Sequence, residues 1–335
     1  MGFFSTPKVV VLKESSDAKE YLKQLEELKQ QASGETLKKI EKEISIVKAG
    51  IQGEETILFE LKNSGMDMVV LHDIYLESQS GAYAQIDFLV LTPKVNFVIE
   101  CKNLFGNIEI TNKGDFIRTI EYRGRKYRER IYSPITQNQR HLQVLKECRS
   151  EQCGTVIRFL RNRYFDDFFK GLVVLANSRS IVNDRWAKKE IKGQVIQADQ
   201  LIDVIKQMSK ESREMASSAK ELLESGQNYL EMSRKQPTDY LEKFKEMLLE
   251  DEQRENSKME SEAETIVEER QIVVQNKDSD SESSKKKAPE SVEPEKICPK
   301  CGKKLALREA KRGAHIGEKF FGCSGYPACR YIEKI

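Results

Sequence analysis

Residues 84–106, AQIDFLVLTPKVNFVIECKNLFG, decide the reading of the fold. They predict two strands joined by a tight turn at Pro93. Ile86 to Leu91 and Val95 to Ile99 form near-continuous apolar runs, rich in β-branched and aromatic residues, as strands covered on both faces do. Asp87, Glu100 and Lys102 interrupt these runs, and charged residues rarely occupy such places without a partner or a task. Glu100 and Lys102 are two apart and share a strand face, while Cys101 points away. If Thr92 pairs with Val95 and Leu91 with Asn96, the register carries down the hairpin to place Asp87 opposite Glu100. Their Cβ atoms are then about 4.5–5.5 Å apart on one face. Proline disfavours the usual two-residue turns, so a four-residue loop is expected, with the same register.

Two facing carboxylates repel, and the arrangement calls for a cation between them or a raised pKa on one. With Lys102 one step along and the Cys101 carbonyl beside them, they form a hard-oxygen site suited to Mg²⁺. The matching chemistry is metal-assisted phosphodiester hydrolysis, with the ammonium orienting water or steadying negative charge. On the hairpin alone, a buried ion-pair cluster with no catalytic role is an equal reading.

The 335 residues leave room for two or three domains. Charged residues make up 33%, yet the net charge is only +2, so charge matters by segment. No apolar run is long enough for a transmembrane helix, and no secretion leader is expected, which points to a cytoplasmic protein without a membrane partner. MGFFST fits the loose myristoylation pattern at Gly2 and Thr6, and is read as a chance match in a strand start or docked tail. Of seven cysteines, Cys101, Cys148 and Cys153 are scattered and four cluster near the C-terminus, as in a reducing compartment with a metal site.

Along the chain, residues 1–48 are expected to hold a helical hairpin broken at Ser33–Gly34. A separate helix follows over 50–65, with Glu54 in its first turn, either as a dipole-favoured carboxylate or as an outer ligand of the metal site. Residues 68–76 predict a first strand, Gly106–Ile110 a short one, and 115–131 a hairpin turning near Arg123–Gly124. Between 118 and 130 lie six Arg/Lys against two Glu, with Tyr122 and Tyr127 interleaved. Arg123, Arg125, Lys126 and Arg128 are the candidate phosphate contacts of this ribbon; a solvated hairpin with no ligand is the alternative. Ser133 and Pro134 start a helix over 133–150 that sets Gln137 and His141 on one face. A buried strand at 171–176, an edge strand at 194–197 and a helix at 199–208 complete a mixed α/β layer.

Residues 209–256 read as two amphipathic helices, a packing or tethering arm that could also self-associate. Over 261–295, ten acidic and five basic residues with no aromatics predict a disordered linker within 257–295. Beyond it, Cys298, Cys301, Cys323 and Cys329 form two close pairs suited to tetrahedral Zn²⁺, which would supply most of the folding energy of so small a module. Residues 296–335 hold ten Lys/Arg and three acidic residues, with Phe320, Phe321 and Tyr326 among them. Positive charge with exposed rings suits unpaired nucleic acid; a ribbon that binds protein is the alternative.

Gly50, Gly53 and Glu54, then Gln85–Asp87, then Ile99–Gly106, then Pro134, Gln137 and His141 together resemble the nuclease-related domain (NERD) family, a PD-(D/E)xK-like branch with a restriction-endonuclease-like mixed sheet flanked by helices. The resemblance covers 48–150 and extends more weakly to 208, giving a domain at 49–208. It implies Asp87 and Glu100 as Mg²⁺ (or Mn²⁺) ligands, Lys102 as the catalytic lysine, Glu54 as the helix carboxylate and Gln137 as the residue orienting substrate or water. His141 stands where related nucleases often have tyrosine, and Cys101 where a β-branched residue is usual. CPKCGKKL…FFGCSGYPACRY resembles the C-terminal zinc ribbons of type I topoisomerases and implies single-stranded DNA binding. The resulting expectation is a Mg²⁺-dependent nuclease, with DNA favoured as substrate. A non-catalytic DNA-binding adaptor on the same fold is the alternative, and a helical-arm interaction protein a third.

Overall fold

A computed structural model describes residues 8–152, 154–237, 239–254, 256–257, 296–309 and 319–334. The expected linker falls almost wholly outside them, as do Gly2 and Cys153. The chain divides into two units, Met1–Glu260 and Ser261–Ile335, each treated by itself.

In the first unit, β1 (Val9–Lys13) leads to α1 (Asp17–Lys29) and α2 (Gly34–Lys62), then β2 (Met68–Glu77), β3 (Tyr83–Leu91) and β4 (Asn96–Lys102). Next come β5 (Asn107–Ile110), β6 (Phe116–Tyr122), β7 (Arg125–Ile131), α3 (Pro134–Glu151), α4 (Thr155–Arg163) and the single turn α5 (Phe165–Phe168). The unit continues with β8 (Phe169–Leu175), β9 (Val182–Asn183), the turn α6 (Lys189–Lys192), β10 (Val195–Gln197), α7 (Leu201–Glu211) and α8 (Ala219–Met232). Six strands form a mixed sheet in the order β1-β2-β3-β4-β8-β10. The acidic hairpin is its centre: Leu91 pairs with Asn96 and Phe88 with Ile99, so the four-residue loop holds and the register holds as far as that pair, short of Asp87 and Glu100.

Helices cover both faces. Ile57 and Leu61 of α2, with Leu201 and Ile205 of α7, pack on Phe88, Val90, Phe97 and Ile99. Val144 and Leu145 of α3, with Leu222 and Tyr229 of α8, pack on Leu89, Leu91 and Val98. A second sheet, β7-β6-β5-β9, closes its own core with Ile108, Ile110 and Phe116 against Val173 and Leu175 of β8. Its β6–β7 turn uses positive φ at Arg123 and Gly124, where the sequence placed it.

Two expectations are corrected. The helix expected over 50–65 is the second half of α2, which runs unbroken from Gly34 to Lys62, so the boundary expected after residue 48 falls inside a helix. Glu54 is therefore far from the first turn, and the helix dipole does not account for it. The first strand is β1, not β2; it pairs in parallel with Met68–Leu71. Its partner lies more than fifty residues away, so no local hairpin signal marks it.

The apolar stripes of the N-terminal helices are also occupied. Leu25, Ile40 and Ile44 pack against Leu241 and Phe244 of a helical segment at 242–254 and the turn before it, so the arm is docked. Phe244→Ala should cost about 3–5 kcal/mol of local stability. Amide exchange of α1 and the 242–254 segment measures it; unchanged protection there would refute the docking.

Candidate active site and metal centre

The site forms where the central ladder stops. Beyond the Phe88–Ile99 pair, β3 breaks its alternation: Leu89 and Leu91 share a core with Ile86 and Ala84, an odd step that β2 mirrors between Leu71 and Ile74. Asp73 takes φ 55° at this kink, a conformation aspartate tolerates better than most residues. Its carboxylate accepts from Asp17 N (2.8 Å) and Gln85 Nε2 (2.7 Å), which holds the kink in place. Freed from strict alternation, Asp87 turns its Oδ2 to the backbone N–H of Cys101 at 2.7 Å.

Helices from the two layers bring the remaining groups to this end of β4. A Cβ on Gly53 would lie 2.8 Å from Asn103 Cβ and 3.1 Å from Cys101 Sγ, so glycine is what lets α2 approach the strand end. Asn103 Nδ2 donates to Ala49 O at 2.7 Å and fastens the same contact, which sets the position of Glu54. On the other face, Asn138 Nδ2 donates to Val98 O (2.9 Å) and Leu172 O (3.0 Å), tying α3 across β4 and β8. That docking places His141 beside Glu100, with Gln137 half-buried one turn earlier.

Glu100 is 1% exposed, and its Oε1 accepts from Lys102 Nζ at 2.5 Å. Its Oε2 lies 3.3 Å from His141 Nδ1, yet neither atom makes a hydrogen bond. Burial, with the charge of Glu100, pushes the Asp87 carboxyl well above its usual range. Burial raises Glu100 as well, against the opposing pull of Lys102. Burial disfavours the Lys102 ammonium, but Glu100 and Asp87 outweigh it and keep the lysine charged. His141 is pushed down to about 4, by burial and then by Lys102, so it is a neutral imidazole. The centre thus holds crowded carboxyls, one orphaned buried oxygen and a facing neutral imidazole: a site short of positive charge.

Sequence reasoning missed His72. It is buried on β2, stacked on Phe88 at 4.6 Å, with Nδ1 3.0 Å from Glu14 O and Nε2 2.8 Å from Glu54 Oε2. Both partners are oxygen acceptors, so the contacts favour a ring that donates from both nitrogens. Burial works against that charge, but the bonds to Glu54 and the Glu14 carbonyl prevail and raise its pKa. A polar residue inside the apolar run MVVLHDIYL was the available signal, of the same kind that marked Asp87.

The basic ribbon is less uniform than expected. Tyr122 pairs with Arg125 and Glu121 with Lys126, so Arg125 lies on one face of the hairpin and Lys126 and Arg128 on the other, with Arg123 in the turn. Arg128 pairs with Glu109 at 2.6 Å and Arg130 with Asp115 at 2.5 Å. The residues proposed as one phosphate track are therefore divided, and some of their charge is met internally.

In the second unit, β11 (Leu305–Glu309), β12 (Lys319–Cys323) and β13 (Ile332–Lys334) form an antiparallel ribbon. The Sγ atoms of Cys298, Cys301, Cys323 and Cys329 all lie within 4.8 Å of one another, with Cys298–Cys329 at 3.7 Å and Cys301–Cys323 at 3.3 Å. Tetrahedral zinc with Zn–S bonds of about 2.3 Å needs sulfurs about 3.8 Å apart, so the cluster fits. Among the described residues, these thiols are the group of three or more donors gathered this closely. Phe320 and Phe321 are adjacent on β12 and face opposite sides, while Tyr326 is exposed. Lys296 Nζ lies 4.6 Å from the Phe321 ring.

Two outcomes are expected. Gly53→Ala should destabilise the first unit by about 1–3 kcal/mol, because Asn103 Cβ is held by its own backbone; denaturant melts measure this. Chelation should make the four ribbon thiols alkylate rapidly while buried Cys148 stays slow, as read by mass spectrometry.

Comparison with known proteins agrees with this division. Residues 49–176 match the family described as "Nuclease-related domain", and residues 295–335 the "Topoisomerase DNA binding C4 zinc finger". A "DNA topoisomerase 1" of Methanocaldococcus jannaschii is 51% identical over 43 residues, 13% of this chain and 5% of that protein. A "DNA topoisomerase 1" of Mycoplasma genitalium is 51% identical over 39 residues, 12% of this chain and 5% of that protein. "Uncharacterized protein YrdD" of Escherichia coli is 47% identical over 38 residues, 11% of this chain and 18% of its own. The chain thus spans less than a fifth of the length of each curated relative. No solved structure matches the chain. No described helix is long and apolar enough to cross a membrane. The chain carries a nuclease-related domain at residues 49–176 and a topoisomerase-type C4 zinc finger at residues 295–335.

Proposed function

We propose that the first unit hydrolyses nucleic-acid phosphodiester bonds in a Mg²⁺-dependent reaction, with DNA as the favoured substrate, and that the zinc ribbon holds single-stranded DNA nearby. The observation that carries this reading is the orphaned Oε2 of Glu100, buried beside Asp87 and a charged Lys102. Two carboxylates are the kind of ligand Mg²⁺ accepts, and burial raises the pKa of both, Asp87 further through the charge of Glu100. When bound, the ion would polarise the scissile phosphate and lower the pKa of a water.

The chain's own residues supply the rest. Asp87 and Glu100 would hold the ion, with Asp87 fixed by the Cys101 N–H. Lys102, pinned to Glu100 Oε1, presents an ammonium to the charge that develops on the phosphoryl oxygens. His141 is neutral, and its ring nitrogen can accept a hydrogen bond from a water near Glu100. Glu54, clamped by His72, adds negative potential at the carboxylates and strengthens the demand for a divalent ion. Gln137, on the same helix as His141, would orient substrate or water. Tethering the ribbon to the catalytic unit raises the local concentration of strand.

The test is cleavage of single-stranded, duplex and branched DNA and of RNA by the full-length protein with Mg²⁺ or Mn²⁺. Asp87→Asn and Lys102→Ala should each lower the rate about 100-fold or more without loss of fold by circular dichroism. Cutting at the wild-type rate by either variant sinks the assignment. Binding without cleavage on every substrate would leave a nucleic-acid-binding adaptor.

A further inference from the structure

The segment between β8 and β10 has no part in the site described above. From Asn177 to Gly193 it carries Arg179, Arg185, Lys188, Lys189 and Lys192 against Asp184 and Glu190. Among the described residues, none of these five cations pairs with a carboxylate, unlike Arg118, Arg128 and Arg130 of the basic hairpin. Trp186, the single tryptophan of the chain, is 65% exposed, and the Arg185 guanidinium lies 5.1 Å from its ring centre.

This segment is stapled to the stretch that follows Lys102. Ala176 N–H donates to Lys102 O at 3.0 Å, Ile108 N–H to Ile181 O at 2.8 Å, and Ser180 Oγ to Leu104 O. Ala187 is buried in the core of the second sheet, which fixes the backbone next to Trp186 while its ring stays in solvent. Between the start of the segment and α2 lies an open cleft of about 640 Å³, lined in part by Gln52, Asn103, Phe105, Asn177 and Arg179. Asn103 directly follows Lys102, and Phe105 is 56% exposed.

We propose that this cleft and the 177–193 segment bind an unpaired nucleic-acid strand where it passes the Lys102 site. Its phosphates lie against Arg179, Arg185 and Lys188, and its bases stack on Phe105 and Trp186. Unpaired cations neutralise backbone charge without regard to sequence, and exposed rings accept bases only when those bases are free of a duplex stack. The proposal rests on the nuclease reading for the position of the reacting phosphate alone; the binding itself needs no cleavage.

The lone tryptophan makes the test direct. The zinc-loaded full-length protein is titrated, without Mg²⁺, with an oligothymidine and with a blunt duplex of equal length, following tryptophan emission and the anisotropy of a labelled strand. The oligothymidine should quench emission saturably, with the same midpoint as the anisotropy, and raised salt should weaken both. Trp186→Ala should weaken strand binding about 5- to 100-fold, and Trp186→Phe less. Strand binding that leaves the emission unchanged, equal quenching by the duplex, or no binding at all overturns the proposal. Quenching in a protein that never cuts defeats the nuclease reading alone, whereas cutting with indifferent emission defeats this one alone.

Discussion

Glu100 sits at the centre of a sheet, almost without water, and the first unit is built around satisfying it. A buried carboxylate is tolerable only with a paired charge or hydrogen bonds. Here the Lys102 ammonium satisfies one oxygen at 2.5 Å and the other is left facing a neutral imidazole. That half-satisfied state gives the site its character. The same apolar layers that stabilise β4 deny its carboxylate solvent, and so create the demand for a cation.

Geometry around that carboxylate is set by close approaches and not by the site residues themselves. Gly53 lets α2 lie on the end of β4, and Asn138 bridges β4 and β8 from α3, so carboxylate and imidazole converge from opposite layers. The kink at Asp73 serves the same end by releasing Asp87 from the alternation of β3. Each device looks like an ordinary packing detail until the position it controls is considered. His72 belongs with them: held at Nδ1 by the Glu14 carbonyl, it fixes the Glu54 carboxylate through Nε2.

The two units gather their chemically demanding side chains in opposite ways. The ribbon gathers four soft thiolates within 4.8 Å, a set complete in itself, and its few strands have little core to fall back on. The first unit keeps two hard carboxylates in a large apolar interior that folds around them. The ribbon's site is structural by construction, whereas the first unit folds on its own core.

The sequence alone determined the local facts. Period, apolar runs and Pro93 specified the central hairpin and its register, and paired cysteine spacing specified the ribbon, because those signals depend on neighbours in the chain. Out of reach were facts that depend on partners distant in sequence: β1 adding in parallel to β2, α2 running through Gly50 and Gly53, His72 meeting Glu54, and the 177–193 segment fastened beside Lys102. Alternation says which face a side chain takes, but not that a kink will turn Asp87 or that opposite-facing positions will split the basic hairpin between its two sides. Only the folded chain decides those, since burial and electrostatic demand arise when layers from distant segments close over the same strand.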